Sequence, residues 1–361
     1  MPDSGSGVSL LLFAYNHERF IEAAVRSALA QDCDPIEILI SDNGSTDATL
    51  SIIRAITDEY DGPHHVTVLQ QPRNRDGYAR HMSAVAPRAR GRTLVIASGD
   101  DISLPHRVRE LSAAFQRNRR VTAAFSHARR IDQQGADHGR YAGALGEEAY
   151  SLEKISQRII SGLGATLAFD RRVFDVFGPL PAKNIYEDVV VPYRAALFGE
   201  VTFVDQDLVL YREHTANVYL ADPFKVTTEG VRQTLLRQAP AKQHIFLTRI
   251  TDLKTAQKTW PSRTEEFARL KKMAQRLLRE MSYERAVLES ASVVRRLRLC
   301  IAGYRDGVRT RAVARWLLTL VWPRCFLWYV RALFRFSNWR VRHAGAASVH
   351  ENSKPRNSVS G

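Results

Sequence analysis

Five short apolar runs, separated by amphipathic stretches, constrain this chain more than any other feature of its sequence. The runs are Val8–Ala14, Ile36–Ile40, His65–Leu69, Arg92–Ala97 and Val121–Ser126. The first (VSLLLFA) is unbroken, as expected of a strand covered on both faces. Between the runs, Glu18–Ala30 places Phe20, Ile21, Ala24, Val25, Ala28 and Leu29 on one helical stripe. Ser45 or Thr46 can cap a second helix to about Glu59, Gly77–Ala86 reads as a third, and Pro105, an N1-type proline, opens a fourth to about Arg117. Such alternation predicts a mostly parallel sheet with helices on both faces. Ligands of such sheets gather at the carboxyl ends of the strands. The polar clusters fall there: Tyr15-Asn16 after the first run, Asp42 after the second and Asp100-Asp101 after the fourth. Neither a glycine-rich dinucleotide fingerprint nor a P-loop is present.

Taken in order and spacing, Val8–Asn16, Ser41–Asp47 and Gly99-Asp100-Asp101 resemble the nucleotide-binding half of family 2 glycosyltransferases of the GT-A fold. Those enzymes usually read Pro-Thr-Tyr-Asn, then Asp-Asp-Gly-Ser-Thr-Asp, then a paired-Asp form of the DxD motif. Asn184-Ile185-Tyr186-Glu187-Asp188 looks like the acceptor-side Glu-Asp motif, and Tyr211-Arg212-Glu213-His214 like the Arg-x-His that often closes the catalytic domain. The resemblance covers roughly residues 8–214. Phe13-Ala14 departs from the family's Pro-Thr, Asn43 from its second Asp, and His81 from an Asn common at that place. It implies an α/β fold: a GT-A-like, Rossmann-type, mostly parallel sheet flanked by helices, followed here by a basic α-helical C-terminal region.

The resemblance also implies a chemistry. A sugar leaves a nucleoside diphosphate when charge growing on the diphosphate is neutralised and a hydroxyl attacks the anomeric carbon. Mg²⁺ or Mn²⁺ suits the first task, as a hard cation taking a few carboxylates and diphosphate oxygens. Asp101 is the expected metal ligand, with His214 completing the shell or touching a phosphate. Asp100, Ala14, Tyr15, Asn16, Asp42 and Arg80 are expected on the donor, and Arg212 beside its phosphates. A Gly-Asp-Asp ahead of a helix also suits a simple cap; Asp42 at the neighbouring strand end favours the ligand reading. Asp188 is the expected general base and Glu187 its neighbour, near the start of a helix with Val189, Val190, Tyr193 and Leu197 inward. Adjacent helical residues diverge by ~100°, so one carboxylate alone can face the acceptor squarely. A single base without a carboxylate nucleophile implies inversion. The polar stretch 128–162, with Gly135, Gly139, Gly143 and Gly146, reads as loops framing the acceptor or, equally, as a surface excursion.

Charge divides the chain. Residues 215–361 hold 28 Lys and Arg against 10 Asp and Glu, a net of +18, so residues 1–214 are left at −4 of the overall +14. Two regions of opposite sign imply two tasks. Three distant cysteines (Cys33, Cys300, Cys325) exclude a disulfide framework or a zinc module and fit a reducing compartment. Met1–Gly7 has neither a basic nor an apolar segment of the kind that directs export. From Pro223 to about Leu299 the spacing is helical and basic. Residues 295–342 then hold twelve arginines, no lysine, one acid and four of the five tryptophans. Arg324, Arg331, Arg335 and Arg342 share one helical stripe, and Phe326, Leu327, Tyr329, Val330, Leu333, Phe334 and Trp339 fill most of the rest, the composition of a helix lying among lipid headgroups, with packing on the catalytic domain or a partner as the competing reading.

The sequence therefore predicts a flexible start at 1–7, a catalytic domain at 8–214, a helical extension at 215–303, membrane-interface helices at 304–343 and a disordered tail at 344–361. The expected activity is transfer from a nucleotide-sugar, a UDP-sugar by preference, to a glycan or lipid-linked acceptor in cell-surface polysaccharide synthesis. The expected location is cytoplasmic, peripheral at the inner face of an anionic membrane, without nucleic acid. A nucleotidyl- or phosphoryltransferase using the same aspartates, or an inactive glycan- or lipid-binding protein, are the competing classes.

Overall fold

A computed structural model describes residues 7–72, 77–141, 150–157, 159, 162–181, 185–214 and 228–321. The arginine stripe at 324–342, the tail, Asn184 and most of the N-terminal segment lie outside them.

The chain runs β1 (Val8–Ala14), α1 (Ile21–Leu29), β2 (Glu37–Asp42), α2 (Thr49–Asp58), β3 (His65–Gln70), α3 (Tyr78–Val85), β4 (Thr93–Ser98), β5 (Ile102–Ser103) and α4 (Arg107–Arg117). It continues through β6 (Val121–Ile131), β7 (Asp137–Arg140), α5 (Leu152–Gln157), β8 (Ala168–Asp170), α6 (Arg172–Phe177), α7 (Glu187–Ala196) and β9 (Glu200–Arg212). Four helices follow: α8 (Thr228–Thr259), α9 (Thr264–Glu289), α10 (Val293–Arg305) and α11 (Thr310–Val321). The sheet order is β3-β2-β1-β4-β8-β6-β9-β5, with β7 beside β6. The first four strands are parallel, as are β6 and β9, and short antiparallel β8 joins the two sets.

The expected five strands and four helices are all present. Alternate residues of β1 serve opposite faces: Leu11 and Phe13 enter one core, Leu10, Leu12 and Ala14 the other. That division explains why the run needed no polar residue. For the described residues of 128–162 the reading as loops is corrected; Gly143 and Gly146 lie outside them. β6 continues to Ile131, pairs with β7, and α5 follows. The hairpin escapes an apolar pattern because charge pairs carry it: Arg129 Nε donates to Asp137 at 2.7 Å and Arg140 Nε to Asp207 at 2.8 Å.

Two compact units result, Met1–Asn217 with Pro240–Met281 and Val218–Ala239 with Ser282–Gly361. α8 passes between them at Pro240, where a helix lacks one N–H. Residues 240–281, which the sequence assigns to the extension, thus belong with the sheet. Ile245, Leu253, Ala256, Phe267 and Leu270 share a core with Val189 and Val190 of α7. A buried ion pair fixes the join, with Arg194 of α7 donating to Asp252 of α8 at 2.9 and 3.1 Å. In the second unit Val287, Cys300, Val308, Ala312, Val313 and Trp316 form a separate small core. Among the described residues no helix is long and apolar enough to cross a membrane.

Candidate functional site

The ends of β1 and β2 are clamped to each other. Asn43 N–H donates to Ala14 O at 2.9 Å, Asn16 N–H to Ser45 Oγ at 2.9 Å, and Thr46 N–H to Asn16 Oδ1 at 2.9 Å. Asn16 sits at φ 53, a left-handed conformation that Asn tolerates better than most side chains. Asp42 is fully buried, and its carboxylate accepts Gly44 N–H at 3.0 Å, Ser45 N–H at 2.9 Å and the Ser45 hydroxyl. It therefore shapes the loop from within, while Tyr15, 38% exposed, stands at the opening. Two departures from the family pattern meet here: the His81 ring packs edge-on against Phe13 at 4.9 Å, and its Nε2 faces Ser41 Oγ at 2.7 Å. Burial lowers His81 to about 4, so it is a neutral packing group. Arg80 lies exposed on α3.

Past β4 the two aspartates diverge. Asp100 accepts the Ser98 hydroxyl at 2.5 Å, and its Oδ2 lies 3.0 Å from His214 Nε2 and 3.9 Å from His17 Nε2. Burial works to raise this carboxyl, but the His214 bond, nearby His17 and Ser98 outweigh it and hold Asp100 below its ordinary value. Asp101 accepts Arg212 N–H at 2.8 Å through Oδ1, and no other hydrogen bond to this carboxylate is seen among the described residues. Burial and the adjacent Asp100 push it well up. The structure thus gives His214 to Asp100. It also gives the Arg212 guanidinium to the carbonyls of Asp100 at 3.0 Å, Asp132 at 2.8 Å and Gln133 at 3.3 Å, and to the Phe20 ring at 4.9 Å. Arg212 thus anchors β9 to the aspartate loop.

No group of three or more His, Cys, Asp or Glu among the described residues is arranged to hold a metal. The donor chemistry still fits a hard cation. A buried carboxylate with one committed oxygen and a second carboxylate beside it is the kind of site that takes Mg²⁺ or Mn²⁺ together with substrate phosphates rather than inside a protein cage.

Glu187 and Asp188 occupy the first turn of α7, whose residues Val189–Ala196 are all buried. Burial, and for Glu187 also the charge of Asp188, raises both carboxyls far above their ordinary values. A 3₁₀ turn, Gly164–Thr166, lies against them, so close that a Cβ on Gly164 would meet Asp188 Cβ at 3.3 Å and Glu187 Oε1 at 3.4 Å.

Residues the sequence reading passed over bring these two sides together. The Tyr78 phenol, at the start of α3, is pushed well up by burial and then by Glu187, Asp100 and Asp101, so it feels both carboxylate sets at once. Tyr141 and Tyr211 meet edge-on at 5.6 Å; the first feels Asp188, the second Asp101 and Asp100. Buried Arg107 ties the framework, donating to Ser103 Oγ at 2.9 Å, Ile96 O at 2.5 Å and Ala165 O at 2.6 Å. His17 sits over Gly99, where a Cβ would stand 2.6 Å from its Nδ1, so this position needs glycine. His17, Tyr78 and Tyr211 adjoin motifs and could have been found there; Arg107 lies in a helix whose exposed residues are largely polar and leaves no such trace.

Residues 9–176 match a family model described as "Glycosyl transferase family 2". An uncharacterized glycosyltransferase of Nostoc sp. is 26% identical over 227 residues, 59% of this chain and 67% of that protein. The succinoglycan biosynthesis protein ExoO of Rhizobium meliloti is 34% identical over 110 residues, 30% of either chain. The chain therefore spans two thirds of the first relative's length and under a third of the second's. Among solved structures, S. aureus TarS 1–349 in complex with UDP-GlcNAc superposes with a TM-score of 0.50 at 16% identity, over 84% of this chain and 93% of that one. Residues 9–176, which carry β1 to β8 and the donor motifs, thus match glycosyl transferase family 2, and the chain has the GT-A fold.

Proposed function

We propose that this protein transfers a sugar, with inversion, from a nucleoside-diphosphate donor to a hydroxyl of a glycan or lipid-linked acceptor. The observation that carries the reading is Arg107, which joins Ile96 O on β4, the strand leading to Asp100 and Asp101, to Ala165 O in the turn packed against Glu187 and Asp188. Tyr15, Asn16 and the loop shaped by Asp42 form the base and ribose side of the donor, and Asp100 extends it. Asp101 is the ligand for a divalent cation, which when bound would neutralise charge on the diphosphate. Asp188 accepts the proton of the attacking hydroxyl. Burial raises its affinity for protons, which makes it a stronger base than an ordinary aspartate. A UDP-sugar is favoured because TarS, which shares the fold, was crystallised with UDP-GlcNAc and with UDP. Cell-surface polysaccharide synthesis is favoured by the ExoO relative. The excess of basic residues beyond 214 favours a position at the inner face of the cytoplasmic membrane.

The test is a panel of nucleotide-sugars screened by melting temperature with and without Mn²⁺. The true donor raises the melting temperature in the presence of metal and leaves it unchanged with chelator. A panel in which free nucleoside triphosphates stabilise and no nucleotide-sugar does would overturn the reading.

A further inference from the structure

The second unit contains a helix whose outer face is apolar. α10 begins at Ser292, whose hydroxyl accepts Arg295 N–H at 3.4 Å, and runs to Arg305. Its inner face is accounted for: Cys300 and Gly303 are buried, and Cys300 shares a core with Val287, Val313 and Trp316. The outer face is not. Val293 is 58% exposed, Val294 59%, Leu297 39%, Ile301 54% and Tyr304 61%. At ~100° per residue these five fall within an arc of about 100°. Arg298, Arg305 and Arg295 follow along one edge of that arc, all exposed and with no ion pair among the described residues. The helix contains no acid, and the acid that follows it, Asp306, is taken by the Tyr283 hydroxyl.

We propose that this face of α10 docks the protein on an anionic lipid surface. The inference deepens the membrane-side reading given above and rests on it, while moving the contact from the 324–342 stripe to a helix of defined geometry. The chemistry selects the occupant. Contiguous valine, leucine and isoleucine side chains seek hydrocarbon rather than the phosphates and base edges of a nucleic acid. A second copy of the same face would set arginine against arginine. A bilayer accommodates both halves of the pattern: the aliphatic arc sinks about 5–10 Å to the acyl boundary, the guanidinium edge meets lipid phosphates, and Tyr304 sits at the headgroup level.

Co-sedimentation of the 361-residue chain with vesicles tests this, using phosphatidylcholine alone and an equal mixture with phosphatidylglycerol. The wild-type protein binds the anionic vesicles, and more weakly as salt is raised. The triple variant Val294→Ser/Leu297→Ser/Ile301→Ser loses about tenfold or more in vesicle affinity. Arg295→Gln/Arg298→Gln/Arg305→Gln loses about fivefold per arginine and most of the salt dependence. Both variants keep the wild-type donor affinity, because none of these residues belongs to the sugar-transfer site; Leu297→Lys alone repeats the test with a single exposed change. If the serine variant binds like wild type while Phe326→Ser/Leu333→Ser/Phe334→Ser releases the protein, the α10 assignment is overturned and the membrane reading survives. A wild-type protein that binds neither vesicle overturns both. If sedimentation velocity shows a dimer that the serine variant dissociates, the face joins two copies and the lipid assignment falls.

Discussion

Donor-motif and acceptor-motif carboxylates stand in opposite surroundings. Asp42 is surrounded by donors, two from backbone and one from Ser45, and Asp100 by Ser98, His214 and His17. The fold supplies partners to both, and at Asp100 the His214 bond, His17 and Ser98 outweigh burial and hold the carboxyl below its ordinary value. Glu187 and Asp188 stand instead on a buried helix, where burial favours the protonated form. The first arrangement is preorganised, suiting a group that must hold a ligand in place. The second holds a charge that would be relieved by taking a proton, which is what a general base needs. Stability and function therefore pull together on the donor side and against each other on the acceptor side.

The largest effect that follows is on turnover. Asp188→Asn removes the base without changing shape and should lower kcat by about 10²–10⁴-fold, while donor affinity by calorimetry stays within about twofold. Asp100→Asn should do the reverse in kind, weakening donor binding through the loss of its histidine and serine bonds. Equal losses of donor affinity in both variants would erase the distinction between the two sides.

A smaller effect appears in pH dependence. The folded protein keeps protons on Glu187 and Asp188 that the unfolded chain, with carboxyls near their ordinary values, has already released. Stability contributed by the protonated pair is therefore lost as pH rises from about 4 toward the raised folded value, about 7 for Asp188. Glu187→Gln/Asp188→Asn should flatten that decline, so that its melting temperature exceeds wild type at about pH 8 and not at about pH 5. Wild-type turnover should climb through the same range as Asp188 ionises. Identical melting profiles for the two proteins would show that the pair is ordinary.

The same contrast explains what the sequence disclosed. β1, β2 and β4 advertise themselves because strands buried on both faces are apolar throughout, and the polar residues at their ends stand out: Asn16, Asp42, Asp100. On the acceptor side Glu187 and Asp188 show by motif, but the residues that support them have no local signature. Arg194 and Asp252, 58 positions apart, form the buried pair that backs α7, and no periodicity relates them. Helical spacing identified α8 and α9 as helices but could not say which core each would join. Arg107 bridges Ile96 and Ala165 from a helix whose outward positions are polar. His214 and Arg212 were found by motif, yet their contacts, Asp100 for one and three carbonyls for the other, depend on where β9 meets the aspartate loop.

The smallest expected effect probes how far the two sides are independent. Gly164 has room for a Cβ only if Asp188 or Glu187 yields by a few tenths of an ångström. A misplacement of a full ångström costs on the order of 10²-fold in rate, so Gly164→Ala should lower kcat by roughly threefold, with donor affinity unchanged. The neighbouring Ala165 carbonyl, however, accepts from Arg107, which also reaches Ile96 on β4 beside the donor aspartates. If Gly164→Ala weakens donor binding as much as it slows transfer, the displacement has travelled along that arginine. The cleft would then act as one rigid body in which base and donor loop cannot be tuned apart.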